Sequence, residues 1–172
     1  MGKYIKPAIL VLSIVIVLSF FLPWVTVQSK QAGAFTKALT GKRQQNIAAI
    51  SGLQVPIMAN GDEARLISSI AKIFNPSVEH VGLKSFLVVV IPLLAVAMAG
   101  LNHLYEKNKW ANSAVAVVGI LIFLVAVFKL TTTDLDKLVL QIKIGIGMWA
   151  TLISFLGIGI LSALRAVELS KK

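Results

Sequence analysis

The chain has 172 residues and a formal net charge of +10, from 17 Lys and Arg against 7 Asp and Glu. Its hydrophobic fraction is 57% with only 14% of residues charged, where a soluble domain carries about 25% charged residues, and its mean hydropathy is +0.86. A water-soluble globule and a disordered chain are both excluded by these numbers, and 0 Cys removes disulfides, thiolate metal sites and a cysteine nucleophile together.

Lys3 and Lys6 precede the first apolar run, the outline of a signal peptide. The run is longer than a signal h-region and no A-x-A site follows it, so we read an uncleaved anchor. Residues 7–27 are uncharged. At about 1.5 Å per residue they match the ~30 Å hydrocarbon core, and they predict a first transmembrane helix. Trp24 falls near its end and reads as an interface anchor, as does Trp110 at the start of the third run.

Residues 28–84 shift to Gln, Asn, Ser, Gly and Lys and predict an extracytoplasmic lobe. Within it, 30–45 is polar and basic and reads as a loop or hairpin arm. Residues 46–58 read as strand, with Pro56 confining the pairing to an edge or a strand end. Asn60 with Glu63 three residues on has the pattern of a capping box. Leu66, Ile67, Ile70, Ile73 and Phe74 then repeat at helical spacing. They predict an amphipathic helix over 62–74, stopped by Asn75-Pro76. Leu66, Ile70, Ile73 and Phe74 are its contact face, turned to the lobe, the membrane surface or another chain.

Three further apolar runs follow, at 85–104, 110–128 and 138–164. Each predicts a transmembrane helix. Membrane β-strands need only about ten alternating residues and do not fit runs of this length. The fold class expected is therefore an all-α membrane protein: four transmembrane helices with a small lobe, of short strands plus one amphipathic helix, between the first two. Lys3, Lys6, Lys107, Lys109, Arg165, Lys171 and Lys172 crowd into the short segments on one side, and the longer segments opposite carry their basic residues more thinly. That density puts both termini in the cytoplasm. The location expected is a bacterial cytoplasmic (inner) membrane. Basic residues flanking spans meet lipid phosphate or set topology, so nucleic acid is not an expected partner, whereas membrane lipids are.

No metal-ligand spacing, phosphate loop, G-x-S-x-G or kinase signature occurs, and the sequence predicts no cofactor, no metal and no catalytic residue. Glu79, His80, Lys84 and Lys143 are the only candidates for an enzyme, a reading ranked last. Lys143 is the one charge within the fourth run, where snorkelling or pairing with Asp134 or Asp136 accounts for it. Lys143, Gly147, Ala150, Ser154 and Gly157 are spaced 4, 3, 4 and 3. This stripe predicts close helix packing, against a neighbour in the same bundle or against another subunit. Ala95 and Ala99 form a lesser version on the second span, which Pro92 is placed to kink.

The stretch Phe21-Leu22-Pro23-Trp24-Val25-Thr26-Val27, followed by Ser51-Gly52-Leu53, resembles a pattern of small bacterial four-span proteins. The layout also resembles claudin-like tetraspans, whose first loop carries a Trp, a Gly-Leu-Trp and two Cys. Here Gln54 stands in place of the second Trp and both Cys are missing. The resemblance implies a partly stranded outer lobe that meets neighbours, and it carries no catalytic residue across. The function expected is a non-catalytic accessory, assembly or scaffold subunit of a membrane complex, hetero- or homo-oligomeric. The alternative is a small oligomeric channel, transporter or lipid-handling protein.

Overall fold

Apolar backbone away from water must pair its own N–H and C=O groups, and helices do so within one segment. The computed structural model describes residues 2–29, 46–62, 64–65, 67–68, 72, 79–132 and 140–171. In chain order these form α1 (Gly2–Ser19), β1 (Pro23–Ser29), β2 (Asn46–Ser51), α2 (Gln54–Ala59), α3 (Val81–Ser85), α4 (Leu87–Leu104), α5 (Lys109–Thr132), β3 (Leu140–Ile144) and α6 (Ile146–Ser170). Residues Val81–Leu104, Lys109–Thr132 and Ile146–Ser170 are each long and apolar enough to cross a membrane, while the apolar part of α1, Tyr4–Ser19, is shorter. Three such helices mark a membrane protein.

The two interior runs lie close to their expected bounds. The first and fourth do not. The helix expected over 7–27 occupies Gly2–Ser19, and Pro23–Ser29 is strand instead. The helix expected over 138–164 begins only at Ile146, because Leu140–Ile144 is strand. Pro23 supplies no N–H, so it suits the first position of a strand and not a helix interior. β-branched Val25 and Thr26 suit the pleat that follows, as Ile144 suits the end of β3.

β1 is the central strand of a three-stranded antiparallel sheet ordered β2-β1-β3. Thr26 lies opposite Ala49 on one side and Lys143 on the other. The sheet thus joins a strand that follows α1 to one that leads into α6. One hydrophobic cluster beside it holds Ile50, Ala59 and Ile67, with Val25, Val55, Met58 and Val81 packed against them.

The strand expected over 46–58 ends at Ser51. Ser51 N–H donates to Gln54 Oε1 (2.9 Å) and Gln54 N–H to Ser51 Oγ (3.3 Å). That reciprocal pair has the pattern of a capping box and closes the turn through Gly52 and Leu53 that leads into α2 at Gln54. Pro56 falls in the first turn, where its missing N–H has no intrahelical acceptor to lose. Asn60, expected to open a capping box with Glu63, is the C-cap residue of α2. Asn60 Nδ2 donates to the Pro56 carbonyl (2.8 Å) and the Gly82 carbonyl (3.1 Å), closing α2 and tying it to α3. Glu63 lies outside the described residues.

The long helices pack around a core of Ile5, Ile9 and Ile16 from α1, Ala95 and Met98 from α4, Val115 from α5, and Phe155 and Ile158 from α6. α6 is the most enclosed: 39% of its most apolar window is buried, against 17% for α4 and for α5. Large apolar side chains such as Leu93, Val96, Leu121, Leu124 and Ile153 cover the outside of the bundle. In water such a surface would aggregate; in hydrocarbon it is the expected exterior.

At the end away from the sheet, the turn between α4 and α5 is locked by a buried amide pair. Asn102 Nδ2 donates to Asn112 Oδ1 (2.9 Å), and Asn112 Nδ2 donates to the Asn108 carbonyl (2.8 Å). Asn108 Oδ1 in turn accepts the Trp110 N–H (2.9 Å) and caps α5. Asn112→Leu strands the Asn102 amide in an apolar site, while the Asn108 carbonyl keeps the backbone N–H of residue 112 (3.2 Å). We expect it to cost about 1–3 kcal/mol in a detergent unfolding titration. The Asn102→Leu/Asn112→Leu double variant, which removes both partners, is expected to recover part of that loss.

Candidate functional site

The stripe on α6 divides by what it faces. A Cβ on Gly147 would lie 2.7 Å from the Ser19 carbonyl oxygen, 2.8 Å from Trp24 Cδ1 and 2.9 Å from the Leu22 carbonyl oxygen. One on Gly157 would lie 2.9 Å from Leu12 Cδ1. Both glycines therefore turn toward α1 and the segment after it, within the same chain. Ser154 is buried and Ala150 half-buried. Lys143 is not on this face: it lies in β3 opposite Thr26, and its side chain is exposed. Snorkelling is not needed to explain it.

A second close approach escaped the sequence reading. A Cβ on Gly119 of α5 would lie 2.7 Å from the Phe155 carbonyl oxygen and 3.1 Å from Gly159 Cα. One on Gly159 would lie 2.9 Å from the Ile120 backbone nitrogen. The signal was present as Ala116 with Gly119 and Gly159 with Ser162, small pairs three residues apart.

Where α1 meets the sheet, a polar knot fixes the sheet to the bundle. Trp24 Nε1 donates to the Ser19 carbonyl (2.9 Å), and the Trp24 carbonyl accepts the Gly145 N–H (2.7 Å). The Ser19 and Thr151 hydroxyls are 2.6 Å apart and share a hydrogen bond; each also lies within reach of a carbonyl one turn back, Ile16 (2.8 Å) and Gly147 (2.9 Å). The Trp24 ring meets Phe20 edge-on at 5.7 Å. Trp24 is 7% exposed, so it is a buried strut between sheet and helices and not the interface anchor expected. Trp110 is 75% exposed, with Lys109 Nζ 5.5 Å from its ring centroid.

At the opposite end, Glu106 Oε2 accepts Lys6 Nζ (3.1 Å) and Glu106 Oε1 accepts Arg165 Nη2 (3.2 Å). Arg165 Nη1 also donates to Glu168 Oε2 (3.0 Å). The Lys6 hydrogen bond and charge, with Arg165 and Lys107 adding to them, hold the Glu106 carboxyl below its ordinary pKa. The start of α1, the α4–α5 turn and the last turns of α6 are so tied together.

Ala95 is fully buried in the bundle core, and Ala99 is half-buried on the same helix. Of the expected lobe contacts, Leu66, Ile70, Ile73 and Phe74 lie outside the described residues. Their neighbour Ile67 is 5% exposed and packs with Ile50 and Ala59. Leu53, just after β2, and Ile57 of α2 are 40% and 63% exposed. Among the described residues, no three His, Asp or Glu side chains come together as a metal cluster would require. What the arrangement offers is close-packed faces between the helices and a small three-stranded sheet fixed to them. No known family, characterised relative or solved structure matches the chain.

Proposed function

We propose that the chain is a non-catalytic accessory, assembly or scaffold subunit of a membrane complex, whose outer lobe is the surface presented to partners. On this reading α1 is a fourth span, with both termini in the cytoplasm of a bacterium. Eighteen residues of α1 give about 27 Å of helix, close to one hydrocarbon thickness. The basic residues at the end away from the sheet fit the cytoplasmic side.

The observation that carries the proposal is the mounting of the lobe. Trp24 and Gly145 hold the central strand to α1 and α6 through backbone and indole hydrogen bonds. A lobe fixed in this way keeps one orientation relative to the membrane, as a docking platform must. Leu53 and Ile57 give it exposed apolar contact area. The claudin-like resemblance, which implies an outer lobe that meets neighbours, points the same way.

Extraction in mild detergent followed by native mass measurement tests this. We expect a complex containing a second polypeptide, another protein or another copy, that Leu53→Asp/Ile57→Asp releases without unfolding the chain. A strictly monomeric species with nothing bound overturns the proposal.

A further inference from the structure

We propose that the groove between α1 and α4 binds one anionic phospholipid, with an acyl chain along its apolar length and the phosphate at the Lys6 end. This goes beyond the scaffold reading and rests on one part of it, the placement of α1 as a span. Two troughs run end to end between these helices. The first, about 270 Å³, is lined by Leu10, Ser13, Ile14 and Val17 of α1 with Val96 and Ala99 of α4. The second, about 250 Å³, shares Leu10 and Ala99 and continues to Lys6, Asn102 and His103. The small side chains of Ser13 and Ala99 leave the space between the two helices.

The shape selects the occupant. From Lys6 to Val17 the groove follows α1 for about 17 Å, roughly one leaflet of a ~30 Å hydrocarbon core. A partner helix crossing the membrane would want a face of full length; an acyl chain needs one leaflet. The chemistry along it is also that of a lipid, apolar through its depth and cationic at one mouth only. Lys6 shares Glu106 with Arg165 there. Lys107, Lys109 and Lys171 lie on the same end, and Glu168 is the only other described acid near them. Lys6 and Arg165 are balanced by Glu106 and Glu168, so the surplus at this end comes from Lys107, Lys109 and Lys171; Lys107 and Lys109 line one hollow with His103 of the groove mouth, and cations so placed retain anionic headgroups. His103, exposed at the mouth, adds a ring nitrogen able to hydrogen-bond phosphate oxygen.

The test uses the full chain in nanodiscs of phosphatidylcholine mixed with phosphatidylglycerol, released into the gas phase for native mass measurement. The wild-type chain is expected to retain one phosphatidylglycerol in preference to phosphatidylcholine. Ala99→Phe, which fills both troughs, is expected to lower retention of either lipid about tenfold. Lys6→Gln is expected to remove the preference for phosphatidylglycerol while leaving phosphatidylcholine retention unchanged. Val117→Phe, on the outside of α5, serves as the control and is expected to change nothing. Equal retention of the two lipids by the wild-type chain overturns the proposal without recourse to any variant. So does retention that survives Ala99→Phe, or a cross-link from Ala99→Cys to a second polypeptide.

Discussion

Gly159→Leu and Gly119→Leu are each expected to cost the bundle about 3 kcal/mol, the upper part of the usual range for overpacking a close contact. The obstacle in each case is backbone. At Gly119 a new Cβ meets the Phe155 carbonyl oxygen at 2.7 Å, and at Gly159 it meets the Ile120 nitrogen at 2.9 Å. Backbone in the middle of two long helices cannot rotate aside as a side-chain tip does, so α5 and α6 must separate along their length. Separation also exposes Phe155 and Val115, both buried in the shared core. The Gly119→Leu/Gly159→Leu double variant is expected to lose less than the two single losses added, because one separation relieves both clashes. Gly100 gives the internal control, since nothing lies within 4 Å of a Cβ there. Gly100→Ala is expected to be neutral or to gain up to about 1 kcal/mol from helix propensity. Reversible unfolding in mixed detergent micelles reads all four. Equal, small effects at Gly119 and Gly100 would show that α5 and α6 do not approach as closely as described.

The long helices differ in how plainly the sequence marks them. Runs of Leu, Ile, Val and Ala mark α4 and α5 within a few residues, because length and hydropathy alone decide a helix that lies wholly in one medium. At the sheet end the same signal misleads. Residues 23–27 continue the apolar run of α1, and an apolar run does not say by itself whether it is strand or helix, whereas residues 140–144 alternate as Leu, Gln, Ile, Lys, Ile, a strand pattern that run length alone hides. The local markers were Pro23 and Gly145. Read as breaks, they place each boundary within a residue or two of where helix and strand divide. Overlooking them put Lys143 inside a span, when it stands in a strand beside Thr26.

Side-chain signals divide in a similar way. Trp24 has the position of an interface anchor, but its indole N–H is satisfied by a carbonyl only five residues back, and that partner exists only once the chain turns at Phe20–Leu22. The turn into α2 was legible as Ser51-x-x-Gln54, a capping-box pattern with reciprocal hydrogen bonds, while the Asn60 amide closes that helix at its other end. Small-residue spacing found a true packing face at Gly147 and Gly157, but spacing carries no label for the partner. Only the approach of α1 shows that this face is used inside the chain.

Gly147→Ala and Gly157→Ala, two members of that face ten residues apart, are expected to behave oppositely. At Gly147 the added methyl meets two carbonyl oxygens, of Ser19 at 2.7 Å and Leu22 at 2.9 Å, besides the edge of Trp24. Those carbonyls belong to the turn that carries the chain from α1 into β1. The Ser19 carbonyl also accepts the Trp24 indole, so shifting it loosens the strut as well. A loss of about 2–3 kcal/mol follows, of the size seen for overpacked contacts. At Gly157 the methyl meets only Leu12 Cδ1, the free end of a flexible side chain. A change of rotamer there costs about 1 kcal/mol, which the helix preference for Ala over Gly offsets. Gly157→Ala should therefore lie within about 0.5 kcal/mol of the parent chain. Tryptophan fluorescence separates the two further, since Gly147→Ala disturbs the surroundings of buried Trp24 and is expected to red-shift the emission, while Gly157→Ala leaves it in place. If the two substitutions cost the same, the face would be one uniform seam, and the junction of α1 with the sheet would not be its tightest point.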